Sequence, residues 1–224
     1  MRVLSYNIRS LRDDGGAVVR VIRDAAPDVV CVQEAPRFFR SVAKGVELAR
    51  RTGLVTAAGS RLCGANLLLV RLAVEVTATR CVPFSLRRGL HLRGAAVASC
   101  RLGGVPFTVA GTHLDLVPAE RLRHLPELWA AVDGLPGPLI LGGDMNETPD
   151  GPLWAGLTGR LVDAYAAAGK GDGLTYSATT PRTRIDGIFA DPAVRVVSCE
   201  ALDTADVRAG SDHRPVLAEL ELPG

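Results

Sequence analysis

The chain has 224 residues, 47% of them apolar and 22% charged, with a formal net charge of +2. That supplies one sizeable core, and the length suits a single domain over residues 1–224 better than two. So even a charge balance, with Phe, Tyr and Trp at only 4%, argues against a strongly basic, stacking-based grip on nucleic acid while remaining compatible with an anionic substrate.

The predicted elements alternate early and then crowd into strands. Residues 3–8 are short, apolar and β-prone. Residues 15–26 place Val18, Val19 and Ile22 at helical spacing, and Pro27-Asp28 stops that helix before a strand over 29–32. A second helix is predicted over 37–52. Strands follow at 54–57, 66–70, 74–82, 94–101 and 105–113, the last two separated by Gly103-Gly104. A third helix covers 118–132, a buried strand 138–141, a short helix 152–157, and strands 185–190, 194–201 and 215–222 close the chain. Dense strands with helices between some of them imply an α+β protein of packed sheets with helices outside.

No apolar run reaches the ~20 residues of a membrane-spanning helix, and the first seven residues lack the apolar stretch of a secretory signal. The five cysteines include no CxxC pair, so the expectation is a reduced, cytoplasmic protein without a disulfide framework or zinc site. Cys31 and Cys100 read as small core residues.

The informative polar residues stand where apolar strands end. Asn7 closes the first strand and Gln33-Glu34 the second; His113 and Asp115 close a middle one; Asp144 and Asn146 follow Leu139-Ile140-Leu141-Gly142-Gly143. Asp186 opens a later strand, and Asp212-His213 directly precedes the final one. Strand ends gathered at one rim are where sites assemble. Carboxylates and amide oxygens are hard ligands suited to Mg²⁺ or Mn²⁺, and a histidine oriented by an aspartate suits proton transfer or charge stabilisation. Ser211-Asp212-His213 is not a serine triad, because consecutive side chains on extended backbone face opposite ways. With no convincing side-chain nucleophile, water is the expected attacker.

These segments together resemble the endonuclease/exonuclease/phosphatase family, which includes DNase I. Leu4-Ser5-Tyr6-Asn7 is similar to its opening strand, Val30-Cys31-Val32-Gln33-Glu34 to its Q-E motif, and Gly111-Thr112-His113-Leu114-Asp115 to its T-H-L segment. Gly142-Gly143-Asp144-Met145-Asn146 matches G-D-x-N, Arg184-Ile185-Asp186 matches R-I-D, and Ser211-Asp212-His213-Arg214-Pro215-Val216 matches S-D-H-x-P-V. Six motifs in order over residues 4–216 make the resemblance specific. It implies a DNase I-like four-layer α/β/β/α sandwich, two mixed sheets face to face with helices on both outer faces.

The resemblance also implies roles. Glu34 would be the principal ligand of Mg²⁺ or Mn²⁺, with Asn7 and Asp212 close to the ion. Asp186 would hold His213 against the phosphate, Asp144 would orient or deprotonate the water, Asn146 would position it or a phosphate oxygen, and His113 would donate to a phosphoryl oxygen. Asn66, in a Gly64-Ala65-Asn66 stretch one residue longer than the family's G-N pair, is offered as a substrate contact. Arg9 stands where many members carry an acidic residue, which argues against a second metal on that side.

Several basic residues keep two readings. Arg87, Arg88 and Arg93 form either a solvated basic face or a grip on a second phosphate or polyanion. Arg182 and Arg184, beside Asp186, are either phosphate contacts or ion-pair partners. His91 and His124 read as surface residues, and Asp115 as a loop residue outside the site. The expected activity is metal-dependent hydrolysis of a phosphate ester, a nucleic-acid phosphodiester first and a small-molecule or lipid-headgroup phosphate second, by a monomer with no partner beyond its substrate. An inactive binding protein of the same fold is the alternative from another class.

Overall fold

The computed structural model describes residues 1–37 and 40–223. Its described residues form two mixed sheets. In the first, β3 (Val55–Ser60), β4 (Asn66–Val70), β2 (Val29–Gln33), β1 (Arg2–Asn7), β13 (Val216–Glu221), β12 (Arg195–Ala201) and β10 (Gly169–Lys170) lie side by side in that order. The second sheet runs β5 (Val74–Pro83), β6 (Gly94–Leu102), β7 (Val105–His113), β8 (Leu139–Asp144), β11 (Asp186–Ala190) and β9 (Val162–Asp163).

Period-2 alternation sorts each strand's side chains between two cores. From β1 and β2, Val3, Val29 and Cys31 turn inward to meet Ala98, Val109, Ile140 and Ile188 of the other sheet. Leu4, Tyr6, Val30 and Val32 turn outward onto α1 (Gly15–Ala25), α2 (Ser41–Thr52) and α6 (Ala205–Gly210). On the far face, Val97, Ala110, Leu141 and Phe189 pack under α3 (Pro118–Val132) and α4 (Pro152–Thr158). The result is the four-layer α/β/β/α sandwich, as the motif resemblance implied.

The two sheets share a plan that builds the site. Each has one parallel pair at its centre, β1 with β2 and β7 with β8, flanked on both sides by antiparallel strands. The C-terminal ends of a parallel pair and the N-terminal ends of its antiparallel neighbours fall on the same edge. Asn7, Glu34, His113 and Asp144 therefore share a rim with residues entering β4, β6, β11 and β13. Close sheet packing brings the two rims together. A Cβ at Gly142 would stand 2.9 Å from Cys31 Sγ, so only glycine lets β8 approach β2 so nearly just before Asp144.

Some elements differ from expectation. α2 begins at Ser41 rather than residue 37: Arg40 holds φ 58°, a left-handed conformation that cannot continue into a helix turn, and part of the expected first turn, Phe38-Phe39, lies outside the described residues. The short helices α5 (Ala164–Ala168) and α6 were not anticipated. Both are nonetheless capped from the sequence, by Asp163 accepting from Tyr165 N and Ala166 N and by Thr204 accepting from Val207 N. His124 is not on the surface. It is buried on the inner side of α3, with its ring 5.2 Å from that of Phe84.

Candidate active site

The rims enclose a cleft of about 300 Å³ lined by Asn7, Glu34, Arg93, His113, Asp144, Asn146, Asp212 and His213, among others. Asp144 is its hub. Only 1% exposed, it accepts from Asn146 N at 3.0 Å through Oδ1 and from Asn7 Nδ2 at 3.0 Å through Oδ2. The same Oδ2 lies 3.3 Å from His113 Nε2 and 3.8 Å from His213 Nε2. The Asn7 bond crosses from one sheet to the other, so the hub exists only because the sheets meet here.

The two histidines beside the hub are tuned in opposite directions. Burial works against a charged His213 ring, yet Asp186, hydrogen-bonded to Nδ1 at 2.9 Å, together with Asp144 and Asp212 outweighs it and raises the pKa to about 10. His213 is an imidazolium at neutral pH, with Nδ1 engaged by Asp186 and Nε2 left without a hydrogen bond among the described residues, 3.8 Å from Asp144 Oδ2. Burial dominates at His113 and lowers its pKa to about 3: Asp144 offsets part of this, while Arg93 and His213 push the same way as burial. His113 is therefore neutral. Its Nδ1 is buried without a hydrogen bond and its Nε2 lies 3.0 Å from Asn146 Nδ2.

Asn146 holds φ 50°, an uncommon region that asparagine tolerates better than most residues. Its amide also donates to the Leu114 carbonyl at 2.9 Å. Glu34 holds φ 50° as well, which turns its side chain out of the strand line toward the cleft. Glu34 and Asp212 are half-buried, unlike the carboxylates opposite.

Two donor sets in this cleft can hold a divalent ion. The ligand atoms of Asp144, Asp186 and His213 lie within 4.8 Å of one another. Against that set, His213 Nδ1 is engaged by Asp186 and the ring carries a positive charge. The buried Asn7 and the half-buried Glu34 and Asp212 offer hard oxygens in the same cleft, which fits Mg²⁺ or Mn²⁺ with several waters retained.

Of the other predicted residues, Arg93 belongs to the cleft while Asn66 and Arg184 do not line it. Arg93 is no part of a solvated basic face. It is 6% exposed, its Nε makes no hydrogen bond, and its nearest carboxylate, Asp115 Oδ2, is 3.7 Å away. Asp115 is accordingly a buried neighbour of the site, its Oδ1 accepting from Val117 N at 2.9 Å. Asn66 is fully buried and donates to the carbonyls of Cys63 and Gly94 at 2.6 and 3.0 Å, joining the entrances of β4 and β6. Arg184 makes a two-pronged pair with Asp163, at 3.0 and 2.9 Å, and stacks over Trp154 and Tyr165. Arg87 pairs with Glu120 at 3.0 Å.

Sequence reasoning missed five cleft residues, the apolar Leu116 and Ile185 and three with polar groups. Arg37 and His91 line the mouth, and the ring of Tyr176 lies 4.9 Å from that of His213. His91 is exposed, as expected, but over the site. Its one signal was position, two residues before Arg93 at the entrance to β6; Tyr176, in an irregular loop, carried none. Ser211, discounted as a nucleophile, donates its hydroxyl to the Asn7 carbonyl at 2.7 Å and so braces the first rim.

The two-sheet sandwich, with the motif residues gathered where its rims join, agrees with the family that the sequence resembles. The chain belongs to the endonuclease/exonuclease/phosphatase family, whose model matches residues 4–213. Members of that family are generally divalent-metal-dependent phosphoesterases and nucleases. Solved structures of similar fold include a family member from Bacteroides vulgatus, at 23% identity over 99% of this chain and 98% of that one, with a TM-score of 0.80. The mannosyl-6-phosphatase Bt3783 of Bacteroides thetaiotaomicron is 18% identical over 99% and 100%, with a TM-score of 0.80. The catalytic domain of human Nocturnin with a bound sulfate anion is 19% identical over 99% and 94%, with a TM-score of 0.74. A comparison with curated protein sequences finds no match. No helix among the described residues is long and apolar enough to cross a membrane.

Proposed function

We propose that this protein hydrolyses a phosphate ester with the help of one Mg²⁺ or Mn²⁺ ion, and that its substrate is a compact ester rather than a nucleic-acid strand. The observation that carries the reading is the Asp144 hub, a buried carboxylate fixed by Asn7 and Asn146 between a neutral and a charged imidazole.

Glu34, Asn7 Oδ1 and Asp212 would hold the ion, which supplies positive charge to the phosphoryl oxygens and the leaving oxygen when bound. Asp144 accepts a proton from the attacking water. The water oxygen forms the new P–O bond, the ester P–O bond opposite breaks with its electron pair on the leaving oxygen, the leaving oxygen takes a proton from solvent, and Asp144 returns its proton to solvent. His213, charged and held by Asp186, donates to a phosphoryl oxygen as negative charge accumulates there. Neutral His113 and Asn146 orient the water and a second phosphoryl oxygen. Arg93, with an unsatisfied Nε in the cleft wall, suits the phosphate as a further donor.

Size and charge support the compact substrate. A cleft of about 300 Å³ is at the small end for small-molecule sites. The basic residues of the 87–93 segment do not form one strand-tracking face, with Arg87 paired to Glu120 and Arg93 buried. One of the proteins of similar fold is a mannosyl-6-phosphatase, which agrees with a compact ester. The test is a panel of sugar phosphates, inositol phosphates, bis-p-nitrophenyl phosphate, DNA and RNA, each with Mg²⁺ or Mn²⁺. Turnover confined to small esters and abolished by EDTA is the expected result. Preferential cleavage of a polynucleotide would overturn the substrate assignment, and full activity in EDTA would overturn the metal.

A further inference from the structure

A turn at the edge of the cleft has no part in this chemistry. Arg9, Ser10 and Leu11 hold φ of 46°, 57° and 56°, three successive left-handed residues of a kind that L side chains disfavour. The turn is tied to the residues assigned to the ion. Arg9 N donates to Asn7 Oδ1 at 3.1 Å and Ser10 N to the Glu34 carbonyl at 2.8 Å. It throws the Arg9 side chain between two carboxylates: Nε lies 3.3 Å from Asp212 Oδ2, and Nη1 lies 3.3 Å from both oxygens of Asp13. Arg9 is nearly half exposed and each partner about a third. Ion pairs so placed contribute little to stability, so stability does not account for a strained turn that fixes this guanidinium.

We propose that Arg9 is a positioning residue and a built-in cation that orients Asp212 and holds down the affinity of the metal rim. The inference rests on the assignment of Asn7, Glu34 and Asp212 as the ion's ligands. A guanidinium beside Asp212 Oδ2 leaves Oδ1, which has only a long 3.5 Å contact from Ser211 Oγ, to an incoming ion, and its charge repels that ion over a few ångströms. Asp13 moderates the effect by drawing the guanidinium toward itself. Removing Arg9 and removing Asp13's charge should therefore act on metal affinity in opposite directions. A turn with a merely structural role would not produce that sign reversal.

The test is a Mn²⁺ titration of the full chain, read by the electron paramagnetic resonance signal of free Mn²⁺, which needs no turnover. Arg9→Gln should tighten Kd by about tenfold, the scale of losing one nearby like charge in a partly exposed site. Asp13→Asn should weaken it by roughly threefold, and Arg9→Lys, which keeps the charge, should stay nearer the parent than Arg9→Gln does. An unchanged or weaker Kd in Arg9→Gln, or a shift of the same sign in Asp13→Asn, would overturn the proposal. A parent protein that binds no Mn²⁺ would instead overturn the ligand assignment beneath it. Should Arg9→Gln fail to fold, the Asp13→Asn titration still decides, since anything other than a weaker Kd there would overturn the proposal.

Discussion

The two rims that meet in the cleft are built on one plan and finished differently. The rim of the second sheet, with His113, Asp144 and Asp186, is buried and cross-bonded, each functional group held by another. The rim of the first sheet presents Glu34 and Asp212 half-buried, with Arg9 the one ion-pair partner found for Asp212 among the described residues. The contrast suggests a division of labour. A buried carboxylate between imidazoles is suited to directing a proton, since low dielectric strengthens each interaction. Half-open oxygen ligands suit an ion that keeps part of its water.

The sharpest way to break this comparison is to damage the buried rim. Asp144→Asn keeps the side chain's size but gives up one of its two accepted hydrogen bonds and cannot take a proton from water; kcat should fall by about 10²–10⁴-fold, the range for general acid–base catalysis. His213→Ala should lower kcat by about 10²-fold or more, the scale of losing one preorganised donor. Asp186→Asn should cost less, because it keeps a partner for Nδ1 and removes only the charge. Steady-state kinetics at saturating Mn²⁺, with folding checked by circular dichroism, would rank the three. A harmless Asp144→Asn would contradict the role given to the hub.

The oppositely tuned histidines predict a stability profile with two arms in EDTA. His213 binds its proton more tightly folded, at about 10, than unfolded, at about 6.5. Its contribution is fully present below the unfolded value and is lost as pH rises through 10. His113 is the reverse, at about 3 when folded. Its contribution is present above about 6.5 and is lost as pH falls toward 3. In melting scans across pH, His213→Gln should flatten the alkaline arm alone and His113→Gln the acid arm alone. Both variants flattening the same arm would contradict the assignment.

The smallest kinetic effect is expected away from both rims. Asn66→Ala removes two buried hydrogen bonds and should cost about 1–3 kcal/mol of stability, with kcat/KM nearly unchanged. A large loss of kcat/KM in a variant of unchanged stability would restore Asn66 as a substrate contact.

Much of this architecture was legible in the sequence because its strands end abruptly. Val30-Cys31-Val32-Gln33-Glu34 passes from buried to functional within two residues, and the same break marks Asn7, His113 and Asp144. Where the break lies at a strand's entrance after a loop, it was harder to read. Arg93 was grouped with Arg87 and Arg88 because all three lie in one basic segment, yet the start of β6 draws Arg93 alone into the cleft. Pairings between distant segments left no local trace. Nothing near Arg184 names Asp163, 21 residues away, as its partner, and nothing near Asn7 announces the bond to Asp144, 137 residues on. The face of α3 that buries His124 likewise depends on the fit of the loop at Phe84.

The division of labour between the rims is tested most directly by Mn²⁺ affinity in two variants measured side by side. The account predicts that Glu34→Gln weakens Mn²⁺ binding by at least about tenfold, on the scale of losing a charged ligand. Asp144→Asn, which disturbs the ligand Asn7 through one hydrogen bond, should weaken Mn²⁺ binding less than Glu34→Gln does, although its turnover is lost. The reverse pattern, with affinity lost in Asp144→Asn and retained in Glu34→Gln, would place the ion among Asp144, Asp186 and His213 and contradict the account.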